Sequence, residues 1–381
     1  MSADLTRAIR RGDGEKSYAM KILFLIDPLQ NYVSDPLYVG LVRILGQDHV
    51  VHYPPKPIYY DPSAKLWFLP QMPKAEKTEL EIKCLLGEDF FDIVCVSSHR
   101  QESLDAFARL YNPHKFPPVV FIDEGDDPHI RHDIAARYPL ALYFKRDYVW
   151  KMGSPWKDRW GLVSTFRGNK KLFHRTFPMP LSIVLEALPT FSGIPKDIDV
   201  SYRGRASHPR RVKAMEILSS MRDIRFSGGI YASPGDRRYK LKAGFSRLWT
   251  KLFDDRPAEA ADEQKKERPE AYYREMAASK IALALRGGGR TATLRYFEIV
   301  AMGAMLISDA PETLIPNDFV PARHAAYCRP DLKDLSDLIR HYLTNDAERE
   351  AIAKDGYSHL LKYHTCERRA EYFLDVCARM I

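Results

Sequence analysis

The 381-residue sequence predicts an α/β protein of two halves, each built on a parallel sheet, with a cleft between them. Three observations carry this. Short apolar runs recur and end in polar groups, helical patterns separate them, and a Pro/Gly-punctuated segment divides them into two complete series. The first series opens with "KILFLID", Lys21 to Asp27, an apolar run closed by a carboxylate and Pro28. Such a run reads as a strand buried on both faces of a parallel sheet. "HVVHYP", "FDIVCVSS", "PPVVFIDEGDD" and "LALYFKRDY" repeat the pattern, with helical periodicity between several of them, as over Pro36–Leu45 and Ser103–Tyr111. Polar groups gathered where these strands end mark the ligand side of such a sheet.

The segment "PLSIVLEALPTFSGIPKD" is the expected connection, with the linker proper over 186–197. The second series follows it. "IDVSYRGR" is a strand with a basic end, "HPRRVKAMEILSSM" a helix, and "IRFSGGIY" a strand. "KIALALRGGG" and "AMLISD" are two more strands, flanking the helix that carries Glu298. The expected domains are therefore 19–185 and 198–365, preceded by a disordered polar arm over 1–18. Residues 232–270 form an insertion. Within it Leu241, Phe245, Leu248, Trp249, Leu252 and Phe253 share one helical face, with six Lys and Arg side chains around them. The stretch 237–253 can lie on an anionic membrane or simply pack on its own domain.

Composition narrows the function classes. A hydrophobic fraction of 45% supports a sizeable core, and no apolar run approaches the length of a membrane span. The first twenty residues are too polar for a secretory signal. Five cysteines form no C-x-x-C pair, which argues against a disulfide framework or a zinc site and fits a reducing, cytoplasmic setting. A net charge of +8 favours an anionic partner without choosing one.

The densest signal is "LRGGGRTATLRYFEIVAMGAMLIS", Leu285 to Ser308. A strand delivers the chain into Gly287, Gly288 and Gly289, where backbone N–H groups can approach a ligand. Thr291 or Thr293 can cap the next helix, whose first amides and positive dipole end suit a phosphate. Arg290 and Arg295 can add charge-assisted contacts. The spacing is neither a Walker A loop nor G-x-G-x-x-G. Glu298 stands in an otherwise apolar helical face, where an unpaired carboxylate is costly. It is either a Glu that merely favours the dipole or a carboxylate that holds two sugar hydroxyls.

With those residues in view, "RYFEIVAMGAMLISD" resembles the donor-site segment of nucleotide-sugar glycosyltransferases of the GT-B fold. The pattern is that of the spore-coat-type and "glycosyl transferases group 1" members, and distantly of exostosin-like enzymes. The tail "NDAEREAIAKDGYSHLLKYHTCERRAEYFL" is similar to the C-terminal helices of the same families. The resemblance implies two Rossmann-like domains, a C-terminal helix over 366–381 that crosses back to the first domain, and Glu298 on the ribose of the donor. It further implies fixed cations rather than a metal or other cofactor at the diphosphate. The candidates are Arg203 and Arg205 of "SYRGR" with Arg290 and Arg295. Many retaining members keep a second Glu where Arg290 stands, so their stereochemistry does not carry over.

The expected reaction moves a sugar from a nucleoside-diphosphate sugar, of UDP or GDP type, to a glycan, lipid-linked or protein acceptor. An inverting course needs a base, and Asp123, Asp126 and Asp127 in "VVFIDEGDDPHIRHD" are the candidates, with Glu124, His129, Asp27 and His99 nearby. The same carboxylates could alternatively hold a divalent metal, although the surrounding pattern lacks the rest of a metal-dependent fold. An epimerase or hydrolase on the same fold, and a non-enzymatic polyanion- or membrane-binding protein, are the competing readings. Nothing resembles an RNA-recognition or helix-turn-helix signature, which argues against nucleic acid. Peripheral contact with the inner face of a membrane is compatible with the basic insertion.

Overall fold

The computed structural model describes residues 9–10, 16–17, 19–64, 66–97, 101–149, 172, 174–231 and 270–381. The chain divides into two compact units. Unit 1 holds Met1–Val184, Thr313–Pro316 and Thr365–Ile381, and unit 2 holds Leu185–Glu312 and Asn317–His364.

Unit 1 is built on β1 (Ile22–Leu25), β2 (Val50–Tyr53), β3 (Ile93–Ser97), β4 (Val119–Asp123), β5 (Leu140–Lys145) and β6 (Thr176–Pro178). They form one all-parallel sheet in the order β2-β1-β3-β4-β5-β6. Ile22 through Ile26 are wholly buried. Two-sided burial is why these strands read as unbroken apolar runs rather than alternating ones. The helices α1 (Ser34–Leu45), α2 (Glu79–Gly87), α3 (Gln101–Leu110) and α4 (His132–Arg137) fall between successive strands. Leu104, Ala106, Phe107 and Leu110 of α3 pack into the core with Val94, Val96 and Phe121.

Unit 2 repeats the scheme with β7 (Ile198–Arg205), α5 (Pro209–Ser220), β8 (Phe226–Tyr231), α6 (Glu270–Ala277), β9 (Ser279–Ala284), α7 (Leu294–Ala301), β10 (Met305–Asp309) and β11 (Ala326–Cys328). The helices α8 (Leu335–Thr344) and α9 (Asp346–Tyr363) follow. Its sheet is all-parallel in the order β8-β7-β9-β10-β11. The two sheets thus share the order 2-1-3-4-5, and each reverses direction of growth beside its first strand. Ligands of open α/β sheets bind outside the strand carboxyl ends at that reversal.

The C-terminal helix α10 (Cys366–Met380) belongs to unit 1, where it lies on α1. Cys366, Arg369, Ala370, Phe373, Leu374, Val376 and Cys377 are its buried side chains. The approach depends on Gly40 of α1. A Cβ there would overlap the Cys366 carbonyl oxygen and stand 3.0 Å from the Ala370 Cβ. The Cys366 N–H continues the junction by donating to the Ile183 carbonyl at 2.8 Å.

Several expectations meet differences. The strands β6 and β11 are absent from the sequence reading, because three residues are too few to display a period. The segment 186–197, expected as the linker, lies within unit 2, where the Lys196 ammonium donates to the Gly303 carbonyl at 2.8 Å. Within the expected arm 1–18, Ile9–Arg10 pairs antiparallel with Lys16–Ser17, and its other residues up to Tyr18 lie outside the described ones. The insertion 232–270 lies outside them too, up to Pro269, and so do the basic stretch 237–253 and His99. Among the described residues no helix is long and apolar enough to cross a membrane.

Candidate active site

In unit 2 the neighbouring strands β9 and β10 end side by side, and their ends build a pocket. It is lined by Arg286, Arg290, the Thr291–Thr293 segment, Tyr296, Asp309 and Pro311, among others. Asp309, nearly buried, organises it. One carboxylate oxygen accepts the Arg286 backbone N–H at 2.9 Å, and the other accepts Arg210 Nη1 at 2.7 Å. The Ser308 hydroxyl donates to the Ala284 carbonyl at 2.6 Å, locking the two strand ends together. The Arg286 guanidinium pairs with Glu312, while its buried Nε has no hydrogen-bond partner among the described residues.

Beneath the glycine loop lies Arg211, a side chain the sequence reading passed over. Its guanidinium donates to the Leu285 and Arg286 carbonyls at 2.8 and 2.9 Å, and to the Arg205 carbonyl and Ser207 Oγ at 3.3 and 3.2 Å. One buried cation therefore ties the end of β7 to the end of β9. Burial pulls the Arg211 pKa below the usual arginine value. A Cβ on Gly287 would stand 3.4 Å from Arg211 Nη2, whereas one on Gly288 would meet nothing within 4 Å. Gly288 is exposed and Gly289 buried. Among the described residues, packing thus places no demand for a bare α-carbon at Gly288.

The helix entrance differs in detail from expectation. Thr293 holds the N-cap position of α7 at φ −82° and ψ 164°, yet its hydroxyl makes no capping bond. Thr291 is buried beside it. The four expected arginines have separate situations. Arg203 is held bidentately by Glu275 at 2.6 to 2.9 Å and by the Tyr231 hydroxyl at 2.7 Å, which commits its donors within the unit. The Arg205 side chain is exposed, and Arg290 is exposed at the pocket rim. Arg295, one turn before Glu298, donates from Nε to the Tyr272 hydroxyl at 2.8 Å.

Glu298 is completely buried. Its Oε2 accepts the Tyr272 hydroxyl and its Oε1 the Tyr273 hydroxyl, each at 3.0 Å. Both tyrosines stand on α6. The costly carboxylate in the apolar face is therefore satisfied inside unit 2, by residues whose link to it no local pattern displays.

Unit 1 places a second polar group at the carboxyl ends of its strands. Glu124 follows β4, is nearly buried, and accepts the hydroxyls of Ser34 and Ser97, the latter at 3.0 Å. Burial, with Asp35 and Asp27 nearby, pushes its carboxyl up to about 8. Beside it, Asp35 and Lys56 form a fully buried ion pair of 2.5 Å, and the Tyr59 hydroxyl donates to the same carboxylate at 2.8 Å. The expected aspartates are engaged differently. Asp123 is buried, paired with Lys145 at 3.0 Å, and bonded by the Tyr143 hydroxyl and the Gly125 N–H. Asp126 pairs with Arg146 at 2.8 Å on the surface, and Asp127 accepts the His129 N–H at 2.9 Å. Among the described residues no group of three or more His, Cys, Asp and Glu is arranged to hold a metal ion.

Two parallel α/β units of the same strand order, with the last helix returned to the first, have the GT-B fold. Comparison with known proteins agrees. Residues 218–375 match the family described as glycosyl transferase-like. A glycosyltransferase from Rickettsia africae has a similar structure, with a TM-score of 0.60 at 11% identity over 95% of this chain and 98% of that one. HepE of Anabaena, solved in complex with UDP, gives 0.57 at 12% identity over 94% and 100% of the respective chains. Sucrose-phosphate synthase from Thermosynechococcus elongatus gives 0.55 at 12% over 94% and 98%. A search of the curated proteins finds no match to this sequence.

Proposed function

We propose that the protein is a glycosyltransferase that takes a sugar from a nucleoside-diphosphate sugar, of UDP or GDP type, and passes it to a hydroxyl of a glycan, lipid-linked or protein acceptor. The observation that carries this reading is the unit 2 pocket. Arg286 and Arg290 line it together with Thr293, the N-cap residue of α7, whose hydroxyl makes no capping bond. Such a corner suits the two phosphates of a leaving nucleotide. Bond cleavage at the anomeric carbon leaves negative charge on the diphosphate, and fixed cations stabilise it without a metal. Arg290 and Arg295 are assigned to that role, with Gly288 and Gly289 giving the phosphates access to the backbone. Arg205 is assigned there as well. Glu298 is assigned to the ribose. Arg203, committed to Glu275, supports the site through the strand that bears Arg205. HepE, which shares the fold, has also been solved with UDP-glucose.

For an inverting course the acceptor proton would pass to a carboxylate on the unit 1 edge. Of the group containing Asp123, Asp126 and Asp127, the neighbour Glu124 has the environment best matched to that task, since its raised pKa lies near working pH. Five free thiols suit a reducing compartment such as the cytoplasm.

The test is thermal unfolding against a panel of UDP-, GDP-, dTDP-, ADP- and CMP-sugars. One nucleotide class is expected to raise the midpoint in a concentration-dependent way. Absence of any shift at millimolar concentrations would remove the donor-site reading. Glu298→Gln is expected to weaken binding of the preferred nucleotide by roughly tenfold or more, the loss of a charge-assisted hydrogen bond.

A further inference from the structure

Glu298 is assigned to a ribose, yet no part of it reaches solvent. Its two oxygens are met by two hydroxyls from α6, and these two tyrosines differ. Tyr273 is itself buried to 2% exposure, fixed between α6 and the core. Tyr272 is half-buried, so its ring can leave without opening the core. The Tyr272 hydroxyl also does two things at once. It donates to Glu298 Oε2 at 3.0 Å and accepts from Arg295 Nε at 2.8 Å, and the Arg295 guanidinium lies 5.3 Å from the centre of the Tyr272 ring.

A bound nucleotide asks the same two groups for the same two interactions. A ribose hydroxyl would donate to the carboxylate, and a phosphate oxygen would accept from the guanidinium. We infer that the Tyr272 hydroxyl is a built-in competitor for the donor, occupying Glu298 and Arg295 together in the free protein and yielding both when a nucleoside diphosphate binds. Tyr273 is the positioning residue that keeps Oε1 in place through the exchange. This inference rests on the donor-site reading of Glu298 and Arg295. The exchange replaces one hydroxyl on the carboxylate with another, so hydrogen-bond count is conserved and the buried charge is never left bare. Its consequence is quantitative. If only a fraction of molecules has Tyr272 displaced, the observed dissociation constant is the intrinsic one divided by that fraction. It also couples the two ends of the ligand, because a phosphate that draws Arg295 away removes one of the bonds holding Tyr272 on the carboxylate.

The test is calorimetric binding of UDP and GDP, with their 2′-deoxy forms, to wild type, Tyr272→Phe and Tyr273→Phe. Tyr272→Phe is expected to bind the preferred ribonucleotide at least fivefold more tightly. Tyr273→Phe is expected to bind it more weakly. The wild type is expected to prefer the ribo over the deoxy form. Unchanged or weakened binding by Tyr272→Phe, with the wild type binding normally, overturns the competition and leaves the donor-site reading standing. Equal gains in both variants would overturn it too, since that is general loosening. A wild type that binds neither nucleotide overturns both. Should Tyr272→Phe fail to fold, 3-fluorotyrosine placed at position 272 of the otherwise wild-type chain gives the same answer. Its fluorine resonance is expected to move to a solvent-exposed position on adding the nucleotide, and an unmoved resonance under saturating ligand overturns the inference.

Discussion

Glu124 illustrates how one side chain's neighbourhood sets its chemistry. In an unfolded chain a glutamate titrates near ~4.3, whereas here burial and two nearby aspartates raise it to about 8. The fold therefore prefers the protonated form. The associated stability is complete below the unfolded value and is lost as pH rises through the folded one. Glu124→Gln, which cannot ionise, escapes that loss. The wild type should lose stability relative to the variant between pH 5 and pH 8, by on the order of a few kcal/mol. Thermal unfolding of both proteins across that range measures it, and parallel curves would refute the assignment. His52 acts in the opposite direction. Burial lowers it to about 4, so its protonation should weaken unit 1 as pH falls below ~6.5. None of this is visible in "FIDEGDD". Serine 34 lies 90 residues from Glu124 and Ser97 lies 27 away, and only the parallel pairing of β3 and β4 brings the latter to it. Likewise Arg203 could be recognised as a basic strand end, but Glu275, 72 residues on, could not be recognised as its counter-ion.

At the level of elements, the two-sided burial of the sheets made most strands readable, since each has to be an apolar run whatever lies beside it. The entrance to α7 was readable for another reason, because three glycines, two threonines and two arginines are a local composition. What stayed hidden was the seating of one element on another. Nothing in "SDPLYVGLVRIL" announces that Gly40 faces a helix more than 300 residues later. Gly40→Ala would add a methyl where the Cys366 carbonyl already stands. Overpacking of this kind costs about 1–3 kcal/mol, and backbone on the opposing side favours the upper end. Urea denaturation monitored in unit 1 should show that loss. A neutral result would mean that α1 and α10 separate more easily than their packing indicates.

At the level of the whole molecule, neither unit is a continuous stretch of chain. The sequence located two series of strands, but the return of Thr313–Pro316 to unit 1 gave no sign, being four residues whose partners include the distant Tyr148 carbonyl, bonded by the Leu314 N–H at 2.7 Å. Removing residues 365–381 should therefore damage the part of the protein most remote from them in sequence. In hydrogen exchange, β1 to β5 are expected to lose protection while β7, β9 and β10 keep it. Full protection of the unit 1 strands in the shortened chain would show that α10 is dispensable there.

The same helix imposes an order on biosynthesis. A ribosome makes β1 through β6 before unit 2, yet the side of α1 that carries Gly40, which meets Cys366 and Ala370, is not covered by α10 until residues 365–381 emerge, after unit 2 has been made. Unit 2 can thus complete its core while the chain is still attached, whereas the earlier-made unit must wait with apolar surface uncovered. Unit 1 is thus begun before unit 2 and completed after it, and a nascent-chain chaperone would find its substrate there.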